Sequence, residues 1–414
     1  MLVALKPSLN LISLYTGVGG LDFGFEAAGF RTAVAVELDS VACSVIRKNR
    51  KWPIIEGDIS AVSSKKILRV AQLKKREAAL LIGGPPCQPF SKSSYWASGD
   101  ARRLNDPRAL TLKEYLRVLK DTLPHAFLIE NVLGLGYSGK SEGLDFIRRE
   151  LASINETTGT NYSMQIEALN AANFGVPQLR ERIFIIGARD GRQFRFPTST
   201  HSPDGSYTSG DLKPYLTSWD AIGDLAADAD DHSLSLTGKW ADLLPSIPEG
   251  QNYLWHTARG GGEALFGWRT RYWNFMLKLA KDQPSWTIQA QPGPATGPFH
   301  WRNRKLSALE ISRLQTLPRD LKYDVSRSDA QRLVGNAVPS ALAEVLAREI
   351  KTQLFGLRKT RSDLRLLPNR RTDLPSPEKV MSLPSKYRFL IGSHADHPGT
   401  GKGAGALRRP RRVA

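Results

Sequence analysis

Short apolar runs rich in β-branched residues alternate with stretches of helical periodicity over the first 190 residues. The runs are predicted as strands near Leu11–Tyr15, Thr32–Glu37, Ala79–Ile82, Ala126–Glu130, Ser163–Leu169 and Arg182–Ala188, with another strand expected to end near Asp58. Helices are predicted around Leu21–Ala28, Ser40–Asn49, Leu110–Asp121 and Leu144–Ser153. Such an alternation predicts an α/β fold with an open sheet covered by helices on both faces. Ligand chemistry then belongs at the carboxyl ends of the strands. From about Gly191 to Trp301 the pattern gives way to Gly, Pro, Ser and Trp with short irregular runs, and seven of the nine tryptophans lie there. Helical periodicity returns at Ser307–Gln315 and Ser340–Leu354, and no internal repeat is visible.

Composition narrows the class without naming a function. The 41% hydrophobic content suits a globular protein with real cores. Met1–Asn10 does not read as a signal peptide, and no apolar run approaches the roughly 20 residues of a membrane span. A soluble, cytoplasmic protein is expected. Two cysteines, Cys43 and Cys87, are too few for a disulfide framework or a cysteine-rich zinc site, and no metal is expected. The net charge of +18 favours a polyanionic partner, with nucleic acid ahead of an anionic membrane. Residues 358–414 hold fourteen Lys/Arg against four Asp/Glu and so carry +10 of that charge. This tail is expected to be mostly disordered, either a plain solvated extension or an auxiliary DNA-binding arm.

Several strand ends carry candidate chemistry. Tyr15-Thr16-Gly17-Val18-Gly19-Gly20 is a glycine turn that can bring backbone close to a ligand, with Asp22 departing from the dinucleotide fingerprint. Glu37 and Asp58 sit where carboxylates could accept ribose hydroxyls, or simply cap their strands. Gly83-Gly84-Pro85-Pro86-Cys87-Gln88-Pro89-Phe90-Ser91 places a lone thiol on a proline-stiffened turn. A small hydrophobe in a turn is the bland reading, which fits Cys43 better. A nucleophilic Cys87 needs a local positive field to raise its thiolate fraction. Glu130, beside an apolar run, should have a raised pKa and could donate a proton, or be a structural strand-end acid. Arg180 and Arg182 share a face under the strand period and suit an anionic or carbonyl ligand, unless they pair with Glu181 at the surface.

In order, YTGVGG (15–20), Glu37, GDI (57–59), GGPPCQPFS (83–91), IENV (129–132), QLRER (178–182), RKLSALEISRLQTLP (304–318) and GNAVPSALAEVL (335–346) resemble the successive motifs of the cytosine-5 DNA methyltransferase family. The chain resembles the bacterial restriction-modification type members. The resemblance implies a Rossmann-like S-adenosylmethionine-dependent methyltransferase fold, mostly parallel, plus a smaller loop-rich target-recognition domain. It places the catalytic domain at 1–190, target recognition at 191–305 and a return to the catalytic domain at 306–356, and leaves the tail at 357–414 outside the shared region. It implies Cys87 as nucleophile, Glu130 as the acid at the base, and Arg182 and Arg180 beside it. For S-adenosyl-L-methionine it implies Tyr15, Gly17, Gly19, Gly20, Glu37, Asp58, Ile59, Pro86 and Asn336. Ser91, Arg102, Arg103 and Arg108 would touch DNA, in a segment that is otherwise a plain solvated loop.

Tyr15 stands where the family usually has Phe, so its hydroxyl needs a partner. The expected substrate is double-stranded DNA, with a cognate restriction endonuclease as a functional partner and a monomer as the acting form. A short segment before Leu11 suits a compact bacterial enzyme. The family's tRNA-methylating branch and a silent DNA-binding relative are the alternatives.

Overall fold

The computed structural model describes residues 8–86, 110–135, 142–205, 212–225, 232–267, 273–358 and 363–393. Two compact units emerge, one built from 1–215 with 315–367 and the other from 216–314 with 368–414.

The first unit is organised by a seven-stranded sheet. Its strands are β1 (Asn10–Leu14), β2 (Arg31–Glu37), β3 (Ile54–Glu56), β4 (Leu80–Gly83), β5 (Ala126–Asn131), β6 (Gln165–Asn170) and β7 (Glu181–Ala188). They lie in the order β3-β2-β1-β4-β5-β7-β6. The first five pair in parallel, whereas β7 runs antiparallel to both neighbours, with Glu130 opposite Phe184 and Leu169 opposite Arg182. Because side chains alternate across a strand, neighbouring positions feed different cores. Ile12, Leu81, Phe127 and Ile185 pack on one face. Leu11, Leu80, Leu128 and Ile186 pack on the other. Both faces are covered, which is why these strands read as unbroken apolar runs.

Helices α1 (Gly20–Ala27), α2 (Ser40–Asn49), α3 (Ser64–Ala71), α4 (Leu110–Thr122) and α5 (Glu142–Thr158) follow the strands. One face is closed by Ile67 of α3, Leu116 of α4 and Ile147 of α5. Buried Tyr115 of α4 ties β4 to β5, its hydroxyl 2.9 Å from the carbonyl oxygens of both Leu81 and Leu128. The other face takes Leu21 and Phe25 of α1 together with Leu342 and Leu346 of the C-terminal helix Ser340–Gln353. That helix approaches α1 so closely that a Cβ on Gly24 would lie 2.4 Å from that of Ala343. Ser340 Oγ donates to Gly20 O at 2.8 Å, and Lys351 Nζ to Ala28 O at 2.8 Å.

The second unit has little regular structure. Its described helices are α6 (Ser218–Ile222), opened by a Thr217–Asp220 capping box, and α7 (Ala308–Leu314), with single 3-10 turns between. The helical run predicted at Ser307–Gln315 thus falls mainly here, and α8 (Arg327–Asn336) and α9 (Ser340–Gln353) belong to the first unit. An aromatic core replaces a sheet. Trp240 stacks on Tyr387 at 5.7 Å between centroids and 16° between planes, with Phe266 and Phe275 against its edges.

The expectation of a mostly disordered tail needs correction for residues 363–393. Leu383 and Tyr387 are buried in the same core as Leu243, Ile247 and Met276. Tyr387 donates to Lys239 O at 2.7 Å, and Met381 N to Pro245 O at 3.0 Å. A few apolar side chains with backbone hydrogen bonds outweigh a basic composition. Residues 394–414 lie outside the described ones. Among the described residues no helix is long and apolar enough to cross a membrane, and no group of three His, Cys, Asp or Glu could hold a metal ion.

Candidate active site

β1 ends at Leu14 and the chain turns sharply, with positive φ at Tyr15, Gly17 and Gly19. Only glycine takes such angles without strain, so two of the three positions are suited by sequence. Gly19 then caps α1. A network holds the turn from below. Ser13 Oγ lies 3.0 Å from Thr16 Oγ1 and donates to Asp22 Oδ2 at 2.9 Å, and Thr32 Oγ1 donates to Asp22 Oδ1 at 3.0 Å. Burial pushes the Asp22 carboxyl up to about 7, against the pull of the two hydroxyls.

Glu37, at the end of β2, joins three loops. Oε2 accepts from Gly17 N at 2.6 Å and Oε1 from Asp39 N at 2.8 Å, while its carbonyl accepts from Gly57 N at 2.8 Å. Asp58 caps the following turn through Ser60 N at 2.9 Å, a bond that lowers its pKa. Ile59 is buried beneath it. Asp39, the cap of α2, is ion-paired with Arg332 of α8. Gly20 meets the far segment of the chain, where a Cβ would lie 2.4 Å from Val338 O, and Asn336 is exposed at the end of α8.

The second cluster lies at the ends of β4, β5 and β7. Glu130 is buried and ion-paired with Arg182, Nε to Oε1 at 3.0 Å. Desolvation raises its pKa, opposed by the charges of Arg182 and Arg180. A Cβ on Gly84 would come within 2.8 Å of Glu130 Oε2, so glycine there leaves the carboxylate its place. Asn131 Nδ2 donates to Pro85 O at 3.2 Å, linking the IENV and GGPP segments. Pro86 is exposed, and its carbonyl accepts from Thr111 Oγ1 at 3.3 Å.

The expected shared strand face for Arg180 and Arg182 is corrected. The strand is interrupted at residue 180, and Arg180 is 1% exposed, donating through its guanidinium to Gly335 O at 2.7 Å. Burial and the Arg182 charge disfavour its protonated form, and Glu130 favours it. Arg182 meets Glu181 only at the backbone, donating to its carbonyl at 2.7 Å. Cys87, Ser91, Arg102, Arg103 and Arg108 lie outside the described residues. Cys43 is buried, and desolvation pushes its thiol up to about 12, away from reactivity.

Sequence reasoning missed Thr111, whose carbonyl takes the Tyr15 hydroxyl at 2.6 Å. It also missed Gln315, which takes Gln178 Nε2 at 2.9 Å and donates to Val334 O at 2.7 Å. The unpaired hydroxyl of Tyr15 was the one available signal for the first. None existed for the second, because a glutamine announces no partner.

Residues 9–352 match the model of the C-5 cytosine-specific DNA methylases. The chain belongs to this family. It is a DNA (cytosine-5-)-methyltransferase. It is 37% identical over 376 residues to the type II methyltransferase M.SacI of Streptomyces achromogenes, covering 84% of this chain and 94% of that one. With the type II methyltransferase M.FnuDI of Fusobacterium nucleatum it shares 33% over 383 residues, 86% of this chain and 98% of the relative. The solved structure of Dnmt2 methyltransferase from S. pombe matches 83% of this methyltransferase and 98% of its own chain at 18% identity, with a TM-score of 0.52, and shares its fold.

Proposed function

We propose that this methyltransferase modifies C5 of cytosine within one short sequence of double-stranded DNA, with S-adenosyl-L-methionine as donor and Cys87 as nucleophile. The observation that carries the reading is the buried Glu130–Arg182 pair beside Gly84, on the strand end that leads through Pro86 to Cys87. Its type II relatives favour a modification role, alongside a cognate restriction endonuclease. It acts as a monomer, in the cytoplasm where DNA is found.

The residues present fit the donor. The Gly17 and Gly57 positions open into space where a Cβ would meet nothing within 4 Å, and Glu37 stands next to both. Each Glu37 oxygen keeps a second lone pair for a ribose hydroxyl. Tyr15, Gly19, Gly20, Asp58, Ile59, Pro86 and Asn336 complete the set that would hold it. When bound, S-adenosyl-L-methionine supplies a sulfonium-activated methyl group that an electron-rich C5 can take.

Cys87 makes C5 electron-rich by adding its thiolate to C6, so that the C5–C6 π pair moves to C5. Glu130, held protonated longer by burial, gives a proton or hydrogen bond to N3 and absorbs the charge of that step. Arg182 orients the Glu130 carboxyl, and Arg180 braces the cluster from Gly335. Loss of the C5 proton and departure of Cys87 from C6 restore the aromatic ring. The base must leave the duplex for this, at a cost of a few kcal/mol. Ser91, Arg102, Arg103 and Arg108 would hold the flanking phosphates and strand.

The test incubates the protein with methyl-labelled S-adenosyl-L-methionine and unmethylated genomic DNA, in parallel with Cys87→Ser, and maps modified cytosines by bisulfite-type sequencing. Label at C5 within one motif, absent in the variant, is expected. Label on no DNA sequence would sink the reading.

A further inference from the structure

Tyr15 opens the glycine turn with a ring that carries a hydroxyl, and that hydroxyl is committed away from the turn. Its hydroxyl donates to the carbonyl of Thr111 at 2.6 Å, in the first turn of α4. Thr111 in turn donates through Oγ1 to the carbonyl of Pro86 at 3.3 Å. Three segments far apart in sequence are joined by these two bonds: the turn after β1, the start of α4, and the strand exit that precedes Cys87.

We propose that the Tyr15 hydroxyl is a positioning group that, through Thr111, fixes the Pro86 peptide leading to Cys87. The proposal rests on the reading of Cys87 as nucleophile. A peptide group is planar, so holding the Pro86 carbonyl oxygen sets the plane from which the next residue departs. Proline fixes φ at residue 86, leaving ψ as the soft dihedral there. The Thr111 bond restrains that remaining freedom. The Tyr15 ring belongs to the donor site, so the hydroxyl links the donor turn to the approach of the thiol. Burial raises the Tyr15 pKa, which keeps the hydroxyl a donor at any working pH.

Tyr15→Phe keeps the ring and removes only the link, and Thr111→Val removes the second bond while keeping the carbonyl. Steady-state methyl transfer and hydrogen exchange over residues 80–86 and 110–115 are measured for the full chain, both variants and the double variant. Tyr15→Phe is expected to lower kcat about five- to tenfold, with KM for S-adenosyl-L-methionine changed less than about twofold. Exchange over residues 110–115 should quicken. The double variant should fall no further than the lower single one, because both bonds lie on one path. An unchanged kcat, a rise in KM alone, or losses that multiply would each overturn the proposal. Unchanged exchange in Tyr15→Phe would overturn it irrespective of activity. Absence of transfer by the unaltered chain, with exchange quickened in the variant, would instead overturn the functional reading beneath it.

Discussion

Glu130 and Glu310 are both buried glutamates set against an arginine, one at the end of β5 and the other on α7, and their surroundings treat them differently. Glu310 is fully occupied. Arg304 grips it with two nitrogens at 2.8 and 2.7 Å, and Ser307 N donates to it at 2.8 Å. His300 faces it with Nε2 at 3.4 Å, and since Nδ1 accepts from Arg302 N, the neutral ring carries its proton on Nε2. Among the described residues Glu130 pairs with Arg182 through Nε alone, and its other oxygen faces Gly84. A forked, satisfied pair fixes the chain, while a carboxylate held by one bond beside an open strand end keeps a proton to exchange.

The largest expected effect tests the reactive member. Glu130→Gln should lower turnover by roughly 10²–10⁴-fold. The amide resembles the protonated acid that burial already favours, so thermal unfolding should move less than in Glu310→Gln. A variant with normal turnover and a collapsed melting point would reverse the contrast.

Glu310→Gln should cost about 3–5 kcal/mol, because it leaves the Arg304 charge buried without its counter-ion. Urea unfolding followed by tryptophan fluorescence reads this directly, since seven of nine tryptophans lie between 216 and 314. Acid should act on the same place. Burial and nearby Arg304, Arg302 and Lys281 push His300 down to about 2, so the unfolded state binds its proton first. Stability of this unit should therefore fall as pH drops below about 6.5. A fluorescence-detected midpoint that stays flat to pH 5, relative to His300→Gln, would contradict this.

The last effect concerns Asp22 in the first unit, and it has the opposite sign. Its folded pKa of about 7 lies above its unfolded value of 3.8. Between those values the folded chain holds the extra proton, so stability falls as pH rises through the window, by up to about 4 kcal/mol. Asp22→Asn should flatten that slope, and calorimetry of both chains from pH 4 to 8 would reveal it. Parallel curves would show that the carboxyl is not the titrating group.

These contrasts explain what could be read in advance. The inner strands of the sheet were legible because burial on both faces makes each of them a local apolar run, whereas the edge strand β6 is only partly buried. Glu37 and Glu130 were legible because each ends such a run. Helix α3 was not predicted, as its lysines and arginine mask the apolar stripe of Ile67 and Ala71. Helix α8 had a readable start in Ser326, which caps Asp329 N at 3.0 Å, but few apolar positions behind it. The second unit gave no period to read, since single 3-10 turns and aromatic edges follow no fixed spacing. Residues 260–262 are three successive glycines. They wrap Trp255, where a Cβ on Gly261 would lie 2.3 Å from the indole. The place of Arg180 was misread because a strand period was assumed through a residue where the strand breaks.

The packing of α1 against α9 also sets a timetable for synthesis. About 150 residues separate the end of β7 at Ala188 from the start of α9 at Ser340. At roughly 5–20 residues per second, a ribosome needs on the order of 8–30 s to bridge that interval. Throughout it, the emerging sheet has its strands but not the helix that covers Leu21 and Phe25. A nascent chain would expose this apolar face for all of that time.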